Sequence, residues 1–248
     1  MGYLEHYDEL LAKHYSWMSG PLAEKVCTEK ARLEALGIGS SGSGKLAVDL
    51  GSGPGYQAFA LADLGFDRVL AVDTSEDLLG ELITNAGGRS VEPVRMDILR
   101  LGKLVEPHSV HCVTCMGDTL THLASREGVV DLFGSIHTAL APGASLVLSF
   151  RDLTRPRSGP HRFLMSRADN NRILSCFLEY VDDDFVLVHD IVHQRDGEQW
   201  TMRVSAYPKL RLSSDWIAQQ LRDCGFDVAT VKTDGSGWTI LKGTARAA

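Results

Sequence analysis

Residues 47–57 read AVDLGSGPGYQ: a short apolar run that ends in an acid, then three glycines alternating with Ser52 and Pro54. An apolar strand that breaks into glycine and restarts as a helix is the opening of a βα unit. Gly51, Gly53 and Gly55 permit positive φ and remove Cβ atoms that would block a ligand. The loop opens a helix, whose first N–H groups are free to point at that ligand. Such turns serve dinucleotides, other nucleoside cofactors, or nothing at all, so the loop alone does not choose.

The segments on either side extend the pattern. KLAVDL (45–50), RVLAVD (68–73), VEPVRMD (91–97), SVHCVTCM (109–116) and ASLVLSF (144–150) read as strands. Helices are expected over 55–64, 75–86 and 126–140, the last stopped by APG. Continuous apolar strands alternating with helices indicate a parallel sheet covered on both faces. Residues 152–172 are polar and read as a loop with a short helix, and 176–207 as three strands with turn signals at DDD and RDGE. SSDWIAQQLRDCGF (213–226) reads as a helix with Ser213 or Ser214 as N-cap and Gly225 as C-cap. DGSG (234–237) is a hairpin turn between two closing strands. Ahead of the sheet, helices over 3–19 and 21–36 lead into the connector GIGSSGSGK (37–45). The expected organisation is a helical N-terminal arm or lid (1–44) and a main domain (45–248) with a substrate-side insert at 152–208.

At 248 residues the chain can bury a full core, and 44% hydrophobic with 23% charged residues argues against disorder. A net charge of −7 without a long basic run argues against nucleic acid or anionic membrane as partner. The charged N-terminus is unlike a signal peptide, and no apolar run approaches membrane-spanning length. Five scattered cysteines suit a reducing cytoplasm. Cys112 and Cys115 form a CxxC on a strand, where residues three apart face opposite ways, so they are read as packed thiols rather than metal or redox ligands. His111, His189 and His193 lack matching ligand spacing, and Asp182–Asp184 reads as a solvated turn. No metal is expected.

Two acids sharpen the glycine loop. Asp73 ends the second strand, 22 residues after Gly51, where an acid can accept from both hydroxyls of a ribose. Asp97 ends the third strand between Met96 and Ile98, so it can meet an adenine amine while the ring is sandwiched. A nicotinamide oxidoreductase would share these features, and GPGYQA (53–58) mimics its GxGxxA fingerprint. Asp49 counts against it, since a carboxylate ahead of the glycines would repel a pyrophosphate and suits an ammonium instead. The closing hairpin likewise replaces a second mononucleotide-binding half.

VDLGSGPGYQ, VLAVDTSEDLL, RMDIL and CMGDTLTHL, in that order, resemble the motifs of class I S-adenosylmethionine-dependent methyltransferases over roughly residues 45–150. The resemblance implies a Rossmann-like α/β fold with a seven-stranded sheet whose last strand is antiparallel, plus a small antiparallel β insert after strand 5. It implies S-adenosylmethionine as cofactor and S-adenosylhomocysteine as product. Asp49, Gly51, Ser52, Gly53, Gly55, Asp73, Thr74, Met96, Asp97, Ile98, Met116 and Gly117 fall on the cofactor side. A narrower resemblance, to glycine and sarcosine N-methyltransferases, rests on GDTLTHL (117–123), SFRDL (149–153) and MRVSAYPKLRLS (202–213). It implies that Arg151 anchors a carboxylate or other anion and that Tyr207, with Tyr7, Tyr15 and Trp17 of the arm, lies by the acceptor. Asp118 stands where that family has asparagine, and Asp152 and Leu153 replace its Asn-Tyr. The acceptor is expected to be a small molecule: an amine, an amino-acid-like carboxylate, or a hydroxyl of a metabolite. An amine needs only positioning; a hydroxyl needs a base, for which His122 or Asp118 is the candidate. A nicotinamide oxidoreductase and a nucleoside-binding protein without turnover are the alternatives, and a homo-oligomer is compatible with the chain.

Overall fold

The computed structural model describes residues 2–39, 43–232 and 238–247. Its main sheet has seven strands in the order β10-β11-β5-β4-β1-β2-β3. They are β1 (Leu46–Leu50), β2 (Arg68–Asp73), β3 (Val91–Arg95), β4 (Val110–Cys115), β5 (Leu140–Arg151), β10 (Phe226–Lys232) and β11 (Trp238–Ala245). β1 pairs in parallel with β2 and β4, β2 with β3, and β4 with β5. Only β11 runs against the others, pairing antiparallel with both β5 and β10. The strand order reverses between β1 and β4, so their carboxyl ends open the crevice where ligands bind in such sheets.

Helices α4 (Tyr56–Asp63), α5 (Glu76–Asn85), α6 (Arg126–Ala139) and α7 (Ser214–Asp223) cover the two faces. One core layer joins Val48, Leu50, Val113 and Cys115 to Phe133 and Phe226, and the other joins Ala47 and Cys112 to Phe59, Leu61 and Leu82. The two thiols of the CxxC therefore point to opposite faces of β4, as the strand period requires. Ser213 is the N-cap of α7, its hydroxyl accepting from Trp216 N–H at 3.2 Å. Gly225 follows the helix at φ +97°, and a Cβ there would meet His137 Nε2 at 2.6 Å.

Residues 152–172 hold more structure than expected. After a single 3₁₀ turn (Gly159–Arg162) they form β6 (Phe163–Ala168), which joins β7 (Arg172–Tyr180), β8 (Phe185–Asp196) and β9 (Gln199–Leu210) in a four-stranded antiparallel sheet. β6 hides in the sequence because it is a short, largely exposed edge strand whose register slips between Met165 and Arg167, which breaks the two-residue alternation. β5 also begins earlier than expected, at Leu140, with a register irregularity opposite Val110 and Cys112 that accommodates Pro142 and Gly143. The DGSG turn lies outside the described residues.

The N-terminal segment is α1 (Tyr3–His6), a π turn (Tyr7–Leu11) and α2 (Ala12–Ser19), followed by α3 (Leu22–Ala35). The first run lies against the small sheet: Leu10 and Leu11 pack with Leu174 and Val192, and Arg203 donates to the Glu9 carbonyl at 2.9 Å. Ser16 reaches the other way, to Glu81 of α5. Among the described residues no helix is long and apolar enough to cross a membrane.

Candidate active site

The glycine loop leaves β1 at Gly51. Its glycines take φ of +71°, +52° and +99°, and a Cβ on Gly51 would run into the Thr119 side chain. The amides of the loop itself are taken. Gly51 and Ser52 N–H both donate to the Val72 carbonyl (2.8 and 3.0 Å), Gly53 N–H to Asp73 Oδ2 (2.8 Å) and Gly55 N–H to the Ser52 carbonyl (3.0 Å). The loop thus binds its own neighbours and serves a ligand through shape, a rigid turn with no side chains on its open side.

Asp73 ends β2 and ties the loop in place, since its Oδ1 also accepts from Ser75 N–H at 2.9 Å. Burial raises its pKa, and the Ser75 and Gly53 amides offset part of that rise. Asp49 is 1% exposed at the end of β1. Its Oδ1 accepts from the Thr114 hydroxyl at 2.7 Å, while Oδ2 is buried without a hydrogen-bond partner. Burial pushes its pKa up to about 7 against the pull of Thr114. A buried, half-satisfied carboxylate beside an open loop is a seat for a cation. These groups fit a nucleoside cofactor carrying an ammonium. They fit a pyrophosphate poorly, since it would meet the Asp49 carboxylate.

Two cavities meet at this point. The first is bounded by Gly51, Gly53, Asp73, Thr74 and Ile98 on the sheet side and by Tyr3, Tyr7 and Tyr15 of the arm. Met96 and Asp97 do not line it: Met96 is half-buried against the core, and Asp97 is exposed and caps the Ile98–Lys103 turn by accepting from Leu99 N–H at 2.9 Å. The second cavity, of about 670 Å³, lies between the main sheet and the small one. Ser52, Met116, Gly117, Arg151 and Tyr207 open onto it, and Tyr7, Tyr15, Gly51 and Asp118 border both cavities. Trp17 borders neither. Its indole N–H donates to Asp169 at 2.5 Å and its ring lies under Arg172 at 4.5 Å, pinning α2 to the β6–β7 turn.

Asp118 is the centre of the polar wall. Its Oδ2 accepts from Arg151 Nε (2.8 Å) and from Lys209 Nζ (2.7 Å), and its Oδ1 from the Arg151 backbone N–H (3.0 Å). Burial alone would raise the Asp118 pKa, but Lys209 and Arg151 outweigh it and hold the carboxyl well below the ordinary range. Arg151 also stacks on Trp238 at 4.8 Å. His122 ends the 3₁₀ turn (Thr119–His122) after β4 and sits in an aromatic cluster: Tyr3 stacks on it at 5.3 Å, and Tyr7 and Tyr207 lie at 5.7 and 5.4 Å. Burial, then Lys209, lowers its pKa to about 3, and its Nδ1 has no hydrogen-bond partner.

Several lining groups escaped the sequence. Lys209 and Asp190 sit on β9 and β8, where only the alternation of the strands could have marked them as inward. Asp190 is 3% exposed and accepts from His6 Nε2 and Cys176 Sγ, both at 2.9 Å; His6 Nδ1 meets Ser205 Oγ at 2.8 Å and its ring stacks on Tyr207 at 4.2 Å. Glu29 of α3, fully buried, holds Arg32 through two contacts of 2.7 Å beside the same cavity. Among the described residues no group of His, Cys, Asp and Glu is placed to hold a metal ion.

Residues 47–143 match the family described as a methyltransferase domain. No curated protein matches the chain. Among solved structures, a methyltransferase from Streptomyces caelestis is 22% identical, with 93% of this chain and 98% of that one covered and a TM-score of 0.72. An S-adenosylmethionine-bound amino pentose methyltransferase from Micromonospora echinaspora is 16% identical, covering 98% and 95%, with a TM-score of 0.66. A sugar N-methyltransferase from Streptoalloteichus sp ATCC 53650 is 12% identical over 100% and 94%, also at 0.66. These likenesses are likenesses of fold.

Proposed function

We propose that the chain is a class I S-adenosylmethionine-dependent methyltransferase and that it methylates an amine on a small organic acceptor. The observation that carries this reading is the state of the two groups that could act as a base. Asp118 is saturated by Arg151 and Lys209, and His122 has a pKa lowered to about 3. Neither can take the proton of a hydroxyl near neutral pH, whereas a neutral amine attacks without help. Arg151 already spends Nε and Nη2 on Asp118, which leaves less of its guanidinium for a carboxylate. An amino pentose is named for one of the similar structures and a sugar, N-methylated, for another, and an amino sugar fits this description.

The cofactor supplies a methyl group already activated on a sulfonium. In this reading the chain's part is to hold and to exclude. Asp49 Oδ2 takes the ammonium, and the remaining lone pairs of Asp73 take the ribose hydroxyls. Thr74 and Ile98 flank the base, with Met96 and Asp97 behind them. Gly51, Gly53 and Gly55 leave room for the backbone-hugging portion, and Ser52, Met116 and Gly117 border its far end. Arg32, fixed by Glu29, is the cation for the carboxylate. Tyr7, Tyr15 and Tyr207 close the junction against water, so donor and acceptor meet in a dry, aligned contact. The five free thiols support a reducing compartment, the cytoplasm.

Calorimetric titration with S-adenosylhomocysteine and with NAD tests the donor side: binding of the first and not the second is expected. Methyl transfer from labelled cofactor to matched pairs of amines and alcohols on one scaffold tests the acceptor. Amines should gain the label and their alcohol twins should not. Equal labelling of the alcohols would overturn the amine reading.

A further inference from the structure

The small sheet turns one face toward the second cavity and one face away. On β8 the alternation is regular, with Val186, Val188 and Val192 buried and Leu187 and Ile191 half-buried between them. The strand registers carry the outer face across all four strands: Met165, Ser175, Ile191 and Val204 stand in one row. A sheet face turned to water is ordinarily polar. This one carries Phe163 (60% exposed) and Met165 (67%) on one edge strand and Trp200 (46%), Met202 (62%) and Val204 (51%) on the other.

We propose that this face is the contact between two copies of the chain, packed sheet on sheet about a two-fold axis. At about 150–250 Å² for a large side chain, those exposures leave on the order of 500 Å² of apolar surface, the upper end of what a monomer shows in one patch. With the half-buried Ile173, Phe177 and Leu187 behind it, the face approaches the roughly 800 Å² per partner of a stable interface. It carries no surplus of acid: Glu179 pairs with His189 at 2.7 Å, Arg162 lies over Phe177 at 4.7 Å, and Arg195 stands opposite Trp200. In a chain of net charge −7 a face without surplus acid is where two copies meet without repulsion. Two equal faces of a four-stranded antiparallel sheet stack as a sandwich, and the two-fold makes the contact closed, so it stops at two copies. The inference is independent of the acceptor's identity.

Sedimentation velocity over a concentration series tests it. The protein should travel with a mass of about 54 kDa, twice the 27.1 kDa of one chain. The double variant Met202→Glu/Val204→Glu should halve that mass while keeping its far-ultraviolet circular dichroism. Ile83→Glu, a charge placed on an equally exposed apolar side chain of α5 (60%), should leave two copies. If the double variant does not fold, Trp200→Lys at the strand edge is read in the same way. A single-chain mass for the unaltered protein at every concentration would overturn the proposal, as would a two-chain mass that survives in the folded variants.

Discussion

At the scale of single residues, Asp49 and Asp118 show how environment divides two carboxylates. Asp49 has one buried oxygen without a partner and a pKa near 7; Asp118 has three donors and stays ionised. In Asp49 the folded chain retains a proton that the unfolded chain has lost above pH 4. Its contribution to stability is therefore full below the ordinary carboxyl value and falls as pH rises toward 7. Asp49→Asn should flatten that slope in pH-dependent denaturation, relative to the unaltered protein. S-adenosylhomocysteine needs the ionised form, so its affinity should rise with pH through about 7. In Asp49→Asn the affinity should be about 10–100-fold weaker and lack that inflection, the loss of one hydrogen bond between charged groups. Asp118→Asn leaves Lys209, 4% exposed, facing Arg151 without an anion. The expected cost is about 3–5 kcal/mol in the denaturant midpoint, partly recovered by adding Lys209→Met. A neutral change on removing Asp118 would mean that the cluster is not a closed charge triad.

At the scale of elements, the N-terminal run gains its position from contacts it could not make alone. Four residues of α, five of π and eight of α form an interrupted run whose stability comes from packing rather than from its own propensity. His6 is the fastening. It is fully buried and joins α1 to β8 and β9 through Asp190 and Ser205. His6→Ala should cost roughly 1–3 kcal/mol, because the buried Asp190 carboxyl is left with one partner fewer. Amide hydrogen exchange should quicken over residues 3–19 and stay unchanged in β1, β4 and β5. Uniform quickening across the main sheet would instead show that the arm is part of the cooperative core.

At the scale of the whole molecule, ligand binding and folding are linked. S-adenosylhomocysteine at a hundredfold excess over its dissociation constant should stabilise the fold by about 2.7 kcal/mol, a rise of roughly 5–10 °C in Tm for a chain of this length. NAD at the same concentration should leave Tm where it is.

The strand–helix alternation from β1 to β5 was legible in the sequence because each element there carries its own apolar period and its own stop. The positions of three acids were legible for the same reason: Asp49, Asp73 and Asp97 sit at or just past strand ends, and a strand end is a local feature. Asp97 shows the limit, since its carboxyl turns to cap the next turn and not to line the cleft. The glycine amides show another, since β2 claims them only once β1 and β2 are paired. The sequence by itself determined the fold and carries the proposed donor class, because both rest on residues in consecutive βα units. The tertiary structure alone decided the second cavity. His6, Asp118, Arg151, Asp190 and Lys209 come from five separate elements and meet only when the arm and the small sheet close over the main one. No local period or spacing records that meeting, because it is the packing of two sheets that brings the five side chains together.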